Sequence, residues 1–318
     1  MTIQKHPVAT MADGTELAVH VHEIPGVSAA GPTVGICGSI HGDEIASSQI
    51  VMEVAAAIGG HVQKGKILLL PVADPLGFAV QERETPLDSQ NLNRVFPGYA
   101  DGWLTEQLAA VITERFLNQI DVLIDLHSGG ASQTVDYVYI LNDEVLSRSF
   151  GSRILYKRRE GLSGTYFSGT SSGVARDRDI RAVTVELGGG LVDQRPYVKR
   201  GVAGVLNMLR TLAIIDGSPT PPPVQVVVER IVMVRPHQGG WLISEAPELG
   251  AEIAGGAVLG RVVSPYTFKE LEVIRNPVPK GIMILSHLTT DVVHPGHTGY
   301  MVGDLAPDLA VAEKKVCT

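Results

Sequence analysis

The sequence has few of the features that mark secreted, membrane-bound or nucleic-acid-binding proteins. Its 318 residues include only two cysteines, Cys37 and Cys317, which form no CxxC pair and no disulfide framework. No apolar run approaches the length of about 20 residues that a membrane-spanning helix needs. The N-terminal segment MTIQKHPVATMADGTELAVH lacks the basic-then-apolar pattern of a signal peptide. We therefore expect a protein of the reducing cytoplasm, with no membrane partner.

Basic residues are too scattered to predict a nucleic-acid partner. The formal net charge is −8 and the sequence pI is about 5.7. Only the segment YKRRE, residues 156–160, gathers basic side chains, whereas neutralising phosphates requires a basic face. A hydrophobic content of 44% indicates an ordinary globular chain, long enough for one large domain or two unequal ones.

Residues 1 to about 215 alternate strand-like and helix-like segments. Several of the strand-like segments are continuously apolar, as in parallel strands that are covered on both faces. Such a pattern predicts an α/β fold with a mainly parallel sheet, in which ligands collect at the carboxyl ends of strands. The predicted strands are residues 16–24, 33–39, 66–73, 122–128, 136–141 and 182–188, and the predicted helices are residues 43–60 and 104–120.

A proline-rich segment, DGSPTPPP at 216–223, predicts a stiff connector. Beyond it, short strand-like segments separated by glycine and proline predict a small all-β domain. We therefore expect a catalytic α/β domain over residues 1–218 and a β domain over 219–318. The segment VIRNPVPKGIMIL is similar to the hairpin of biotinyl or lipoyl carrier domains, so a modified Lys280 is an alternative, although Lys280 follows Pro279 instead of occupying a tight turn.

Two histidine motifs follow apolar strands. His41 and Glu44 are three residues apart at the start of a predicted helix, where both side chains can converge on one point. The alternative is an ordinary strand-to-helix turn in which Asp43 caps the helix. Asp125 and His127 alternate along one face of a strand, so Asp125 can orient the imidazole. The alternative there is a core histidine hydrogen-bonded to Asp125.

Two further motifs carry polar groups. Asn91, Asn93 and Arg94 lie in a polar segment that can bind a substrate carboxylate, or that is simply a solvated loop. Glu186 interrupts an apolar strand, where burial can raise its pKa towards neutrality. A structural salt bridge is the alternative for Glu186.

Taken together, His41, Glu44 and His127 form a three-ligand set with one open coordination position, which is typical of catalytic zinc. Here the sequence resembles the succinylglutamate desuccinylase/aspartoacylase family, a branch of the zinc carboxypeptidase superfamily. The resemblance covers roughly residues 30 to 210 and implies a zinc-carboxypeptidase-like fold. A trailing β domain is also typical of the family. It rests on four segments in the family's order: GSIHGDE (38–44), NLNRVFPG (91–98), DLHSGG (125–130) and VTVELGGG (183–190).

The resemblance implies one zinc ion per subunit, bound by His41, Glu44 and His127. It makes Glu186 the base and proton shuttle, and Arg83 the group that stabilises the developing oxyanion.

It also implies that Asn93 and Arg94 bind the substrate's carboxylate. Arg176 is matched to a further substrate-binding arginine, without a tight motif around it. No residue of the C-terminal domain can be matched, and His294 and His297 are interpreted as loop residues and not as ligands.

These residues predict a zinc-dependent hydrolase that cleaves the amide bond of a small N-acyl amino acid. Within that class, residues 91–106 and the ELGGG segment are similar to bacterial deacetylases of N-acetylated diamino acids. The alternatives are a carboxypeptidase that acts on short peptides and a metal-binding homologue without catalysis. Homo-oligomerisation is left open, because no sequence feature identifies an interface.

Overall fold

The computed structural model describes residues 1–158, 167–220 and 224–306. Its residues form two compact units. The first comprises the described residues of Met1–Leu155 and Gly161–Val226, and the second comprises those of Tyr156–Glu160 and Val227–Thr318. The predicted connector lies partly outside the described residues, at 221–223, so the boundary between residues 218 and 219 stays a prediction.

The first unit is a mixed α/β fold. Short 3₁₀ helices cover Leu92–Arg94 and Leu117–Gln119. Its helices are α1 (Ile45–Ile58), α2 (Pro75–Val80), α3 (Leu104–Arg115), α4 (Glu144–Ser149), α5 (Ser171–Asp177) and α6 (Arg195–Thr211). The strands that precede residue 230 are β1 (Thr2–Thr10), β2 (Glu16–Pro25), β3 (Ser28–Cys37), β4 (Lys64–Leu70), β5 (Val122–His127), β6 (Thr134–Tyr139), β7 (Ile154–Tyr156), β8 (Arg181–Gly188) and β9 (Val226–Val228).

Strands of the first unit lie side by side in the order β1-β2-β4-β3-β5-β8-β6. The central strands β4, β3, β5 and β8 are parallel, whereas β1, β2 and β6 join antiparallel. The sheet is therefore mixed, and the prediction of a mainly parallel sheet holds only for its centre. The edge strand β1 is exposed along most of its length, unlike the parallel strands of the centre, which are covered on both faces.

Helices cover both faces of the central strands. On one face, Ile50 and Val54 of α1 pack with Val205 and Met208 of α6. On the other face the core includes residues of α3, such as Leu108 and Ile112. This double cover explains why the parallel strands are almost wholly apolar, and it leaves their carboxyl ends as the place where polar side chains collect.

The second unit contains strands and no helix among its described residues. The strands are β10 (Ile231–Val234), β11 (Gly240–Ser244), β12 (Glu252–Ala254), β13 (Val258–Val263), β14 (Glu270–Arg275), β15 (Lys280–Ser286), β16 (Asp291–Val293) and β17 (Tyr300–Asp304). One four-stranded antiparallel sheet has the order β14-β13-β11-β16. Lys280 begins β15 and pairs with Glu252 at 2.8 Å, so the carrier-domain alternative has no lysine at a free hairpin tip.

No helix within the described ranges is long and apolar enough to cross a membrane.

Candidate metal centre and active site

The carboxyl ends of β3 and β5 bring the two histidine motifs together. These parallel neighbours are aligned with Cys37 opposite Asp125, so the turn after β3 and the last residue of β5 meet at one edge of the sheet. His41, Glu44 and His127 are all buried there. One potential ligand atom from each lies within 4.8 Å of the other two. Glu44 and His127 are 83 residues apart in the sequence, and the pairing of β3 with β5 brings them together.

The carboxylate of Glu44 is the centre of this cluster. His41 Nδ1 lies 2.7 Å from Glu44 Oε1, and His127 Nδ1 lies 2.9 Å from Glu44 Oε2. The backbone N–H of Ser128 donates to Oε2 at 3.1 Å, and Arg83 donates to Oε1 at 3.2 Å. Burial opposes ionisation of Glu44, but the two imidazoles hold its pKa well below its usual range.

The second nitrogen of each ring faces an acceptor oxygen. His41 Nε2 lies 3.1 Å from Asn91 Oδ1, an oxygen that also accepts from the Asn93 backbone N–H. His127 Nε2 lies 3.3 Å from Asp125 Oδ2. These contacts favour a proton on each Nε2, which leaves the Nδ1 lone pairs directed at the Glu44 carboxylate.

The Nδ1 lone pairs and the negatively charged carboxylate repel each other unless a positive charge lies between them. A proton on the ring can supply that charge. Accordingly, although burial acts in the other direction, Asp125 and Glu44 raise the pKa of His127 well above its usual value. A divalent cation fits the same position, because two imidazole nitrogens and a carboxylate oxygen are ligands that zinc and similar ions prefer. The three residues are therefore a potential metal-binding triad.

Asp125 accepts hydrogen bonds from the helix α5, which the sequence did not connect to the site. Its Oδ2 accepts from Ser171 Oγ at 2.6 Å and from Ser172 Oγ at 3.0 Å, both in the first turn of α5. Asp125 Oδ1 is buried and has no hydrogen-bond partner among the described residues. The hypothesis that Asp125 orients His127 agrees with this geometry. The alternative in which Asp43 caps α1 does not, since the Asp43 carboxylate accepts from the Ala131 N–H instead.

A cavity of about 180 Å³ opens beside the cluster. Besides the three candidate ligands, it is lined by Arg83, Asn93, Arg94 and Glu186, so the structure brings together seven of the eight predicted site residues. The exception is Arg176, which is absent from the lining; its guanidinium is half-exposed and pairs with the adjacent Asp177 at 2.9 Å. Arg176 lies in the last turn of α5, whereas the first turn of that helix faces the site.

Glu186 enters the cavity from β8, directly opposite His127 in the parallel register. Burial raises the pKa of Glu186 to about 8, with the negative charges of Glu44 and Asp125 adding to the shift and the positive charges of His127 and Arg83 opposing it. A carboxyl group with this pKa exchanges protons near neutral pH, as a general base must.

The amide and the arginine predicted to bind substrate both line the cavity, and each already uses some of its polar atoms in contacts within the protein. Asn93 is buried, and its Oδ1 already accepts from the Ser171 N–H at 3.0 Å. Arg94 donates one N–H to the Asn93 carbonyl at 2.7 Å. Because a guanidinium has five donors, Arg94 keeps others for a ligand.

Two aromatic residues that line the cavity, Tyr139 and Phe167, were not predicted from the sequence. Their rings meet edge to face with centroids 5.4 Å apart. Neither stands in one of the four sequence segments, and an aromatic residue in a strand or a loop carries no signal of its own. Only the fold places them at the cavity.

Comparison with known proteins agrees with this architecture. The model of the succinylglutamate desuccinylase/aspartoacylase catalytic domain matches residues 30–212, more than half of the chain. The N-alpha-acetyl-L-2,4-diaminobutyric acid deacetylase of Halomonas elongata is 26% identical over 247 residues, which cover 73% of this chain and 70% of that protein.

Solved structures share the fold. A succinylglutamate desuccinylase from Silicibacter sp. TM1040 superposes with a TM-score of 0.81 at 24% identity, covering 95% of this chain and 94% of the other. The product-bound ectoine utilization protein EutE (DoeB) from Ruegeria pomeroyi gives a TM-score of 0.81 at 24% identity, covering 94% and 93%. The match over residues 30–212 shows that the chain belongs to the succinylglutamate desuccinylase/aspartoacylase family.

Proposed function

We propose that the chain is a zinc-dependent hydrolase that removes the acyl group from a small N-acyl amino acid. The observation that carries the proposal is the convergence of His41, Glu44 and His127 on a cavity that Glu186 shares. One potential ligand atom from each of the three residues lies within 4.8 Å of the other two. Family membership and the deacetylase relative support this reaction class.

His41, Glu44 and His127 would hold the metal ion, one per chain. When bound, zinc supplies Lewis acidity, which lowers the pKa of a water molecule to about 7 and polarises a carbonyl oxygen. The reaction adds water across the amide: the C–N bond breaks, the acyl carbon gains the hydroxyl oxygen, and the nitrogen leaves as an amine.

Glu186 is the proposed proton carrier. It takes a proton from the attacking water and returns it to the leaving nitrogen, which a carboxyl group with a pKa near neutrality does well. Arg83 is the proposed partner of the negative charge that develops on the carbonyl oxygen, since it reaches the cavity beside Glu44. A donor preorganised in this way is worth about 3 to 4 kcal/mol.

Arg94 and Asn93 are the proposed carboxylate-binding pair. The planar guanidinium matches a carboxylate with two parallel hydrogen bonds, which orients the scissile bond towards the proton carrier. Arg176 is left out of this proposal, because its ion pair with Asp177 lies away from the cavity.

The cavity volume favours the deacylase over the peptidase. Its 180 Å³ or so is below the range of about 300–1,000 Å³ that is usual for drug-sized ligands. An N-acetyl amino acid is of suitable size for this cavity, whereas a peptide of several residues would extend beyond it. Among small substrates, the relative from Halomonas elongata makes N-acetylated diamino acids the first to test.

The test is a turnover screen with zinc-loaded protein. Acetyl and succinyl derivatives of aspartate, glutamate and 2,4-diaminobutyrate are assayed beside di- and tripeptides with a free carboxylate. We expect release of free amino acid from one or more N-acyl amino acids, at a kcat/KM at least about tenfold above that for any peptide. Faster cleavage of peptides would favour the carboxypeptidase, and stoichiometric zinc without any turnover would favour the non-catalytic homologue.

A further inference from the structure

Two glycine segments tie together the strands that carry His127 and Glu186. Gly129 and Gly130 follow β5 after one serine, and Gly188, the last residue of β8, is followed by Gly189 and Gly190. The Gly129 N–H donates to the Gly188 carbonyl at 3.1 Å, and the Gly190 N–H donates to the Gly130 carbonyl at 2.8 Å. We call these five residues the glycine clasp. They continue the contact between β5 and β8 beyond the ends of both strands.

The clasp leaves no room for side chains. A Cβ on Gly189 would lie 2.6 Å from the Gly129 nitrogen, and one on Gly190 would lie 2.8 Å from Thr134 Oγ1. All three glycines of residues 188–190 have φ between +76° and +91°, a region that favours glycine. Three consecutive glycines are also the most flexible backbone a chain can have, so something outside the segment must hold them in one conformation.

Gln194, the residue before α6, supplies that restraint. Its Oε1 accepts from the Gly189 N–H at 2.9 Å. Its Nε2 lies 3.1 Å from the Gly189 carbonyl, 3.2 Å from the Gly190 carbonyl and 3.0 Å from the Val192 carbonyl. One side-chain amide thus lies within hydrogen-bond distance of four backbone groups of the loop between β8 and α6.

We infer that Gln194 is a positioning residue for Glu186: by locking the glycine clasp, it fixes the end of β8 and with it the place of the Glu186 carboxylate in the cavity. Glu186 lies only two residues before Gly188. The inference rests on the proposed function for the role of Glu186, but the clasp itself is independent of it. His127 also lies two residues from the clasp, but its ring is held separately by Glu44 at 2.9 Å and by Asp125 at 3.3 Å. We therefore expect the effect to fall on the proton carrier and not on the candidate metal ligands.

The variants are Gln194→Ala, which removes all four contacts, and Gln194→Glu, which keeps the acceptor but places a carboxylate against three carbonyl oxygens. The matched control is Gln225→Ala. Gln225 Nε2 also donates to two backbone carbonyls, those of Arg148 and Ser152 at 3.0 and 2.9 Å, but neither belongs to the glycine clasp or to the loop between β8 and α6.

Two readouts need no substrate. In both Gln194 variants we expect the Gly189 amide to exchange with deuterium at least about tenfold faster than in the wild type, while zinc affinity stays within about twofold. In a crystal structure of Gln194→Ala we expect the Glu186 carboxylate to move by about 1 Å. Unchanged exchange, or a carboxylate that stays in place, would overturn the inference.

The kinetic readout separates positioning from general stability. We expect kcat to fall by up to about 100-fold in both Gln194 variants, the loss that a displacement of about 1 Å can produce, with KM nearly unchanged. Gln225→Ala keeps wild-type kcat and KM. If zinc affinity falls together with kcat, Gln194 supports the metal ligands instead and the inference is wrong. If the wild type turns over no substrate, the proposed function fails, and amide exchange and the variant's crystal structure still decide the inference.

Discussion

Glu186 is the residue on which the proposed chemistry depends most. Exchanging its carboxylate for an amide keeps the shape but removes the proton carrier, because an amide does not titrate near neutral pH. We expect Glu186→Gln to lower kcat by about 10²- to 10⁴-fold while the chain still binds one equivalent of zinc. Steady-state kinetics and metal analysis on the same preparation measure both quantities.

The matched control is Glu53→Gln. Glu53 is exposed on α1, where it accepts from Gln49, so its change should leave turnover at the wild-type level. Wild-type turnover in Glu186→Gln would remove the assignment of the base, whatever the metal content.

Tyr300 gives the second unit a dependence on alkaline pH. The residue is fully buried, its hydroxyl lies 3.3 Å from Ser244 Oγ, and burial raises its pKa to about 12. An unfolded tyrosine titrates near pH 10. Between these values the unfolded chain releases a proton that the folded chain keeps, so the free energy of unfolding falls as pH rises, by about 1 kcal/mol per pH unit.

Tyr300→Phe has no such proton, so its free energy of unfolding should fall less steeply than that of the wild type above pH 10. Urea unfolding at pH 9, 10 and 11 measures the difference. Tyr266→Phe serves as the control, because Tyr266 is 90% exposed and should keep the wild-type slope. Parallel curves for Tyr300→Phe and wild type would show that the buried phenol does not titrate as stated.

The candidate ligands were predictable from the sequence because their chemistry is local. His41 and Glu44 share one turn, and His127 follows an apolar strand, so the carboxyl-end rule for parallel strands suffices to bring them together. The partners that orient them were not all predictable. Ser171 and Ser172 reach Asp125 from 46 and 47 residues away, and no local pattern connects a helix start to a carboxylate on a strand.

The turn between β3 and α1 depends on a close approach by another element. A Cβ at position 42 would lie 1.9 Å from the Gly77 carbonyl carbon and 2.4 Å from the Phe78 nitrogen, both backbone atoms of α2. Gly42→Ala must therefore push α2 away from the turn that carries His41. We expect a loss of about 3 kcal/mol in the free energy of unfolding and weaker zinc binding.

Chemical denaturation and zinc titration measure these two effects. Gly14→Ala is the matched control, because Gly14 lies in a turn of the same unit with φ of +85° but with no atom within 4 Å of its Cβ position. It should cost about 1 kcal/mol through backbone strain alone and leave zinc affinity unchanged. Equal costs in the two variants would mean that α2 does not constrain the turn.

The elements were predictable where hydrophobic pattern alone decides them. The strands over 16–24, 33–39 and 122–128 correspond to β2, β3 and β5, and the helix over 104–120 is present as α3, although it ends at Arg115. Pairing direction was less predictable. β6 has the composition of a parallel strand, yet it runs antiparallel to β8. It follows β5 after a short glycine-containing turn, and a strand that follows so short a turn reverses direction, because a parallel connection needs a long crossover.

The charge distribution of the first unit would couple folding to binding of the proposed metal ion. The unit buries one carboxylate, Glu44, between two imidazoles, and a second, Asp125, behind His127. Removing charges from water is costly unless they are fully paired. A divalent cation at the triad would complete the pairing in the folded chain, whereas the unfolded chain cannot hold these residues together. The proposed metal ion would therefore contribute to stability as well as to chemistry.

Removing the metal should therefore lower the melting temperature. At free zinc 100 times above the dissociation constant, binding stabilises the folded state by about 2.7 kcal/mol, which corresponds to roughly 5 to 10 °C. Calorimetry with and without a chelator, followed by zinc addition, measures the shift and its reversal. His41→Ala should melt at the same temperature in both conditions, whereas His20→Ala, an exposed histidine on β2, should keep the full shift. A wild-type melting temperature that neither chelation nor zinc changes would mean that the triad holds no metal in the folded protein.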